Sequence, residues 1–329
     1  MADSKPQIDI FNLLTTTGDR ILPLHSWLTE TVWNDDNYCN KTVLKYFEEG
    51  EKQVLKLEEL VLSSASRIYN EFVAASIKTD NLIKEFAKQK TALLVFDGAS
   101  LRELPILRNL AIKTGYNIVE SSYRISSLPS DTTSFIEQKI LGKKIAPSQL
   151  ESRKEFKENN IKVYYYDSPI RHFEMISSEN NYLLWSAFPD GTYTNFEAKN
   201  SFHFETIVKQ FDTAWKNIIL SIPSDYNIII TSDHGYVYLN AGYESNQKAE
   251  TTLNLLHQER FRYLEPDEQL PTETNEIQII QEKKLAMLRG RIKNRPKGQS
   301  SNKVFRHGGL SIMEMFTPWL VINKINNFK

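Results

Sequence analysis

The chain has 329 residues, of which 40% are hydrophobic and 25% charged, the balance of a globular protein able to bury a sizeable core. A formal net charge of −1 provides no global field for nucleic acid or a membrane surface, so any such binding has to be local. Cys39 is the only cysteine, which excludes an intrachain disulfide and a zinc–thiolate cluster.

No apolar run approaches the roughly 18 residues that a membrane span needs. The start, Met1-Ala2-Asp3-Ser4-Lys5-Pro6, lacks the basic-then-apolar order of a secretory signal. A cytoplasmic protein with no membrane contact is expected.

Residues 1–90 read as a helical region. From Val54 onward, Leu57, Leu60, Val61, Ile68, Phe72 and Val73 recur at helical spacing, while Lys56, Glu58, Glu59 and Arg67 fall on the other face. Residues 80–90 read as a short helix with Asp80 as its N-cap. From Thr91 the pattern changes to strands over 93–96, 117–119, 162–166, 182–188, 227–231 and 319–322. Helices are expected between them, for example over 104–113 and 205–222. This alternation predicts an α/β fold, a mostly parallel sheet sandwiched by helices.

Residues 240–306 interrupt the alternation and read as an inserted cap. It holds an acidic turn around Glu265-Pro266-Asp267-Glu268 and a helix expected over 277–289. A basic run follows: Arg289, Arg291, Lys293, Arg295, Lys297, Lys303 and Arg306, with no Asp or Glu among them. Such a run is either a solvated loop or a phosphate-binding segment. Its place directly before His307 keeps the second reading open, with Arg291 and Arg295 as its substrate-binding residues.

The chemistry gathers at strand ends. Thr91-Ala92-Leu93-Leu94-Val95-Phe96 runs into Asp97-Gly98, and Asn227-Ile228-Ile229-Ile230-Thr231 runs through Ser232 into Asp233-His234-Gly235. Each piece has a bland reading: Asp-Gly is a common turn, and a lone His is more often structural than a ligand. Jointly they place carboxylates and imidazoles at carboxyl ends of parallel strands, where open α/β sheets hold their ligands. That donor set suits a divalent metal such as zinc or manganese.

The order Asp97-Gly98, Ser127-Leu128-Pro129-Ser130-Asp131-Thr132, Thr231-Ser232-Asp233-His234-Gly235 and His307-Gly308-Gly309-Leu310-Ser311-Ile312-Met313-Glu314 resembles the PglZ domain of the alkaline phosphatase superfamily. The resemblance covers about residues 91–329 and leaves the helical region outside it. It implies an alkaline-phosphatase-like sandwich with a two-metal phosphoryl-transfer site, usually zinc. One metal would be held by Asp97, Thr132, Asp233 and His234, with Thr132 as the nucleophile. Ser130, Thr133 and Ser127 are the rivals for that role.

The other metal would take Asp190 and His307. The superfamily commonly places a His four residues after the middle Asp, but Thr194 stands there; His203 and His172 are the substitutes in reach by sequence. Arg102, and Arg260 or Arg262, are candidates for the positive group that completes a phosphate clamp.

The resemblance implies a metal-dependent phosphodiesterase with a nucleotide or nucleic-acid substrate. It also implies protein partners of a bacterial anti-phage defence or signalling system. The alternative is a degenerate, non-catalytic module serving as a binding or scaffolding part of such a complex. A sulfatase is disfavoured, because Cys39 lies outside the resembling region.

Overall fold

The computed structural model describes residues 10, 14, 18–64, 66–78, 81–83, 90–174, 179–195, 202–245, 254–257, 259–294 and 304–325. The expected N-cap Asp80 and most of the helix after it lie outside these residues.

Strand β1 (Thr91–Phe96) is buried along its whole length, as its unbroken apolar sequence requires of a strand covered on both faces. It pairs in parallel with β4 (Asn181–Ser186) and with β5 (Asn227–Thr231). Strand β3 (Ile161–Tyr166) extends the sheet beyond β4, also in parallel. On the other side, β11 (Phe316–Lys324) runs antiparallel to both β5 and β2 (Tyr116–Ile125). The order is β2-β11-β5-β1-β4-β3, a mixed six-stranded sheet with a mostly parallel core.

The register decides where the site lies. Val95 stands beside both Trp185 and Thr231, so β1, β4 and β5 end level, and the residues after them share one edge. Phe316 stands opposite Ile125, so the turn entering β11 and the loop leaving β2 reach that same edge.

The helix over Leu104–Lys113 forms as expected, and Phe202–Asn217 fills most of the later one. Strands differ in extent from expectation: β2 runs on to Ile125, β4 stops at Ser186, and β11 extends beyond 319–322 at both ends. The helix expected over 277–289 does not form. Strands β8 (Ile277–Ile280) and β9 (Leu285–Leu288) pair as a hairpin instead, and β7 (Phe261–Tyr263) joins them in a three-stranded antiparallel sheet. All residues of β8 and β9 are buried, and a continuous apolar run does not by itself separate a buried strand from a helix. Lys284, at a φ of 46°, makes the turn that a helix would not tolerate.

The N-terminal helices Val43–Ser64 and Arg67–Ile77 share one core with the sheet: Phe47, Val54, Val61 and Phe72 pack in the same cluster as Phe96, Leu104 and Phe316. Glu58 is not on the outer face. It is fully buried, and Glu51 is 1% exposed beside it. Glu51 takes Arg102 Nε on one oxygen and Arg291 Nη1 on the other. Glu58 faces Arg291 Nε at 2.8 Å and accepts the Ile312 backbone N–H.

Burial would raise the Glu51 pKa, and the guanidiniums of Arg102 and Arg291 outweigh it and hold the carboxyl below its usual range. Removing one partner of a buried ion pair costs about 3–5 kcal/mol, because the other charge stays buried and unanswered. Glu51→Ala is therefore expected to lower the unfolding free energy by about that amount. Denaturant unfolding checks this, and a loss below about 1 kcal/mol would contradict the role assigned to the pair.

Candidate metal centre

Asp97 follows β1 directly, and its N–H donates to the Ser186 carbonyl of β4 at 2.9 Å. Its Oδ2 accepts from Trp185 Nε1 at 3.3 Å, which leaves Oδ1 facing His234 Nε2 at 3.5 Å. Asp233 is fully buried after β5. Its Oδ1 accepts from the Gly98 and His234 N–H groups at 3.0 and 2.9 Å. Among the described residues its Oδ2 has no hydrogen-bond partner, and it lies 3.6 Å from His234 Nε2.

An orphaned carboxylate oxygen this deep is costly unless a cation answers it. His234 Nδ1 lies 2.9 Å from the Gly235 carbonyl. A carbonyl can only accept, so Nδ1 carries a proton, and Nε2 faces the two carboxylates.

Asp190 opens the short helix Asp190–Asn195, and its N–H donates to the Asp97 carbonyl at 2.9 Å. Its Oδ1 stands 3.8 Å from His307 Nε2, while His307 Nδ1 lies 3.3 Å from the Ser130 carbonyl. The rings of His234 and His307 stack with centroids 4.1 Å apart. Ligand atoms of Asp97, Asp233 and His234 all lie within 4.8 Å of one another, and so do those of Asp190, His234 and His307.

Burial first, and then the neighbouring Asp233 carboxylate, push the Asp97 carboxyl up to about 7. Burial would lower His234, and the carboxylates of Asp233 and Asp97 outweigh it and raise its pKa well above the usual value. Burial and then His234 lower the pKa of His307. Clustered carboxylates with convergent imidazole nitrogens are the donor chemistry of a zinc or manganese ion, and the orphaned Asp233 oxygen fits such an ion.

Of the four candidate hydroxyls, that of Thr132 meets this cluster. Asp131 caps the helix Thr132–Phe135 by accepting from the Ser134 N–H at 2.7 Å, which sets Thr132 as the first helical residue. Thr132 Oγ1 lies 3.3 Å from Asp97 Oδ1 and 3.4 Å from His234 Nε2. Ser127 donates to the Pro129 carbonyl and Thr133 to Asp131.

Ser130 has a positioning geometry that the sequence did not disclose. Its hydroxyl donates to the Gly309 carbonyl at 2.8 Å and accepts the Gly308 N–H at 3.0 Å. The His-Gly-Gly turn is also held from below by Glu314, which accepts from the Gly309 and Ser311 N–H groups, both at 2.9 Å. Arg260 grips that carboxylate with Nε at 2.6 Å and Nη2 at 2.7 Å. Gly308, at a φ of 105°, makes the turn at a backbone conformation that favours glycine.

The expected arginines are elsewhere. Arg102 and Arg291 are fully buried on Glu51 and Glu58, so neither reaches a substrate; their guanidiniums anchor the long N-terminal helix. Arg260 serves Glu314, and Arg262 pairs with Glu268 at 2.7 Å. Arg295, Lys297 and Lys303 lie outside the described residues, whereas Arg289, Lys293 and Arg306 pair with Glu273, Glu244 and Glu259. The described part of the basic run is thus matched by acids distant in sequence. His203 packs on Tyr193 and Phe305, and burial lowers its pKa to about 4; it is not among the clustered ligand atoms. His172 is exposed.

The family model for the BREX system PglZ alkaline phosphatase-like domain matches residues 130–322, more than half of the chain. The chain belongs to the PglZ family. The matched segment contains Thr132, Asp190, Asp233, His234 and His307, while Asp97 precedes it. No curated protein matches the chain. The mixed sheet flanked by helices is the alkaline-phosphatase-like fold of this family. Among the described residues, no helix is long and apolar enough to cross a membrane.

A metal ion entering this centre competes with the proton on Asp97. Affinity for a divalent ion is therefore expected to rise with pH through the range below about 7 in which that carboxyl is protonated, and to go on rising above it while His234 still carries its second proton. Below that point the change is about tenfold per pH unit for each proton displaced. Calorimetric titration at several pH values checks this, and affinity independent of pH between 5 and 7 would contradict it.

Proposed function

We propose that the chain is a metal-dependent phosphoric ester hydrolase, a phosphodiesterase acting on a nucleotide or nucleic-acid substrate, with Thr132 as its nucleophile. The observation that carries this reading is the approach of Thr132 Oγ1 to Asp97 and His234, beside the unpartnered buried oxygen of Asp233. Asp97, Thr132, Asp233 and His234 would hold one zinc or manganese ion, and Asp190 and His307 a second. Such ions supply charge stabilisation at the attacking and leaving oxygens of an in-line displacement.

The chain's own part is orientation. Contacts of Thr132 Oγ1 with Asp97 Oδ1 and His234 Nε2 aim the hydroxyl, and its place at a helix start keeps it at the strand edge. Thr132 Oγ1 would form the bond to phosphorus as the P–O bond of the ester breaks, the hydroxyl proton passing to the departing alcohol; water then cleaves the Thr132–phosphorus bond, releasing a phosphomonoester and restoring the hydroxyl. Residues 91–329 would be the catalytic unit, with 240–306 as its cap and 1–90 as a helical support. The reading extends to a place in bacterial anti-phage defence or signalling, in the cytoplasm and among protein partners of such a system, and the family description, which names a BREX system, is what suggests that setting.

One observation favours the second reading, a non-catalytic binding or scaffolding module: Thr194 stands four residues after Asp190, where the superfamily commonly has a metal-binding His. Turnover of phosphate mono- and diesters with zinc or manganese separates the two. Thr132→Ala is expected to lower kcat by about 10³-fold or more with KM nearly unchanged, since a nucleophile acts in the transition state. It should retain bound metal by elemental analysis, whereas Asp233→Ala should lose both metal and activity. Metal-loaded protein that turns over no phosphoester would select the binding module.

A further inference from the structure

The arginines of the cap are answered by carboxylates: Arg260 by Glu314, Arg262 by Glu268, Arg289 by Glu273 and Arg306 by Glu259. Lys283, on the turn between β8 and β9, differs. Its Nζ reaches out of the cap to the Leu128 carbonyl at 3.2 Å, on the loop that leads into Thr132. That peptide is held from its other side by Gln138, whose Nε2 donates to the same carbonyl at 2.8 Å. An ammonium has three N–H donors, and this contact uses one. Among the described residues, no carboxylate forms an ion pair with Lys283.

Lys144, beyond the helical stretch that starts at Thr132, approaches the same place. Its Nζ donates to the Tyr263 hydroxyl at 2.9 Å and stands 4.1 Å from the centre of that ring. Its ion pair with Glu137 is long, at 3.9 Å, and exposed on both sides, a geometry that contributes little. Tyr263 is 39% exposed, so the cluster opens to solvent.

Burial holds the Lys283 pKa below the usual lysine range, and Lys144 lowers it further against the attraction of Glu137 and Asp131. Tyr263 stands opposite Leu285, two residues after Lys283, so the ring that Lys144 covers lies one strand across from the turn that carries Lys283. Asp131, the residue immediately before Thr132, attracts both ammoniums. Two neighbouring ammoniums and a phenolic hydroxyl, open to solvent beside a phosphoryl-transfer loop, are the makings of a phosphate site.

We propose that Lys144, Lys283 and the Tyr263 hydroxyl form an anion subsite that takes the phosphate adjoining the scissile one. The substrate is then an ester carrying at least two phosphates, from a nucleic-acid strand or a nucleoside polyphosphate, rather than an isolated diester. The identity of the scissile phosphate rests on the hydrolase reading; the subsite's affinity for anions does not.

Turnover and binding test the two parts separately in the full chain. Lys144→Gln with Lys283→Gln is expected to lower kcat/KM at least tenfold for a trinucleotide or a nucleoside polyphosphate. The same pair should change bis(4-nitrophenyl) phosphate less than twofold. Loss confined to the trinucleotide identifies a strand, and loss confined to the nucleoside polyphosphate a mononucleotide. Arg at both positions should recover most of the loss, because it restores charge without the native contacts. Equal losses on charged and small substrates would overturn the subsite.

Inorganic pyrophosphate, titrated calorimetrically, provides the readout independent of catalysis. Its dissociation constant should rise at least tenfold in the double Gln variant and stay within threefold in Asp233→Asn. If Asp233→Asn abolishes pyrophosphate binding and the Lys changes do not, the anion binds the metal centre only and the proposal fails. If wild-type protein hydrolyses no phosphoester yet shows this pyrophosphate pattern, the hydrolase reading fails while the subsite stands. Lys144→Gln by itself, at an exposed position, carries the same test should Lys283→Gln perturb the fold.

Discussion

Everything at the working edge of this protein follows from carboxylates brought together without guanidiniums to neutralise them. Asp97 and Asp233 have His234, not an arginine, as their ion-pair partner, and one oxygen of Asp233 is buried with no hydrogen-bond partner. Burial, and then the neighbouring Asp233 carboxylate, raise the pKa of Asp97, and that upward shift reports the tension. The fold can hold such a cluster because three level strand ends and a locked His-Gly-Gly turn fix the backbone around it. A bound cation would relieve the same tension, so the scaffold's cost and its capacity to bind metal have one origin.

The guanidiniums that might have quenched this charge act one layer away. Arg102 and Arg291 tie the long N-terminal helix to the loop after β1 and to the segment after β9 through Glu51 and Glu58. Arg260, just before β7, ties the three-stranded sheet to Glu314, which itself carries the turn that presents His307. The N-terminal helices are thus structural partners of the site and share its core. Buried ion pairs of this kind contribute little net stability, yet they define which segments meet, because leaving one member unanswered is so unfavourable. Gly235 expresses the same tight fit: a side chain there would collide with the Met313 carbonyl.

The local chemistry was legible wherever it depended on neighbours in sequence. Apolar runs ending in Asp97 and Asp233-His234 marked strand ends, and the spacing of Leu104–Lys113 marked its helix. Family resemblance, not local pattern, singles out Thr132 from Ser130; the Thr132 hydroxyl lies against Asp97, and that of Ser130 donates to the Gly309 carbonyl. The hairpin of β8 and β9 was misjudged because its residues are buried on every side, which erases the periodicity that separates helix from strand. Glu58 was misjudged for a related reason: a charge on an apolar face looks like an error in the stripe until its cation, Arg291, is seen arriving from far along the chain.

Sequence by itself determined the α/β alternation, the strand-end acids and histidines, and the family, because these are encoded in contiguous residues. Tertiary structure decided the fate of the cations. Whether an arginine faces a substrate or a buried glutamate depends on contacts between residues as distant as Glu51 and Arg291, which no local pattern carries. The run from Arg289 read as an exposed basic strip because its neighbours in sequence are basic. Its described members face acids supplied by other segments, since a buried or half-buried charge takes the partner that the fold brings near rather than the one beside it in the chain.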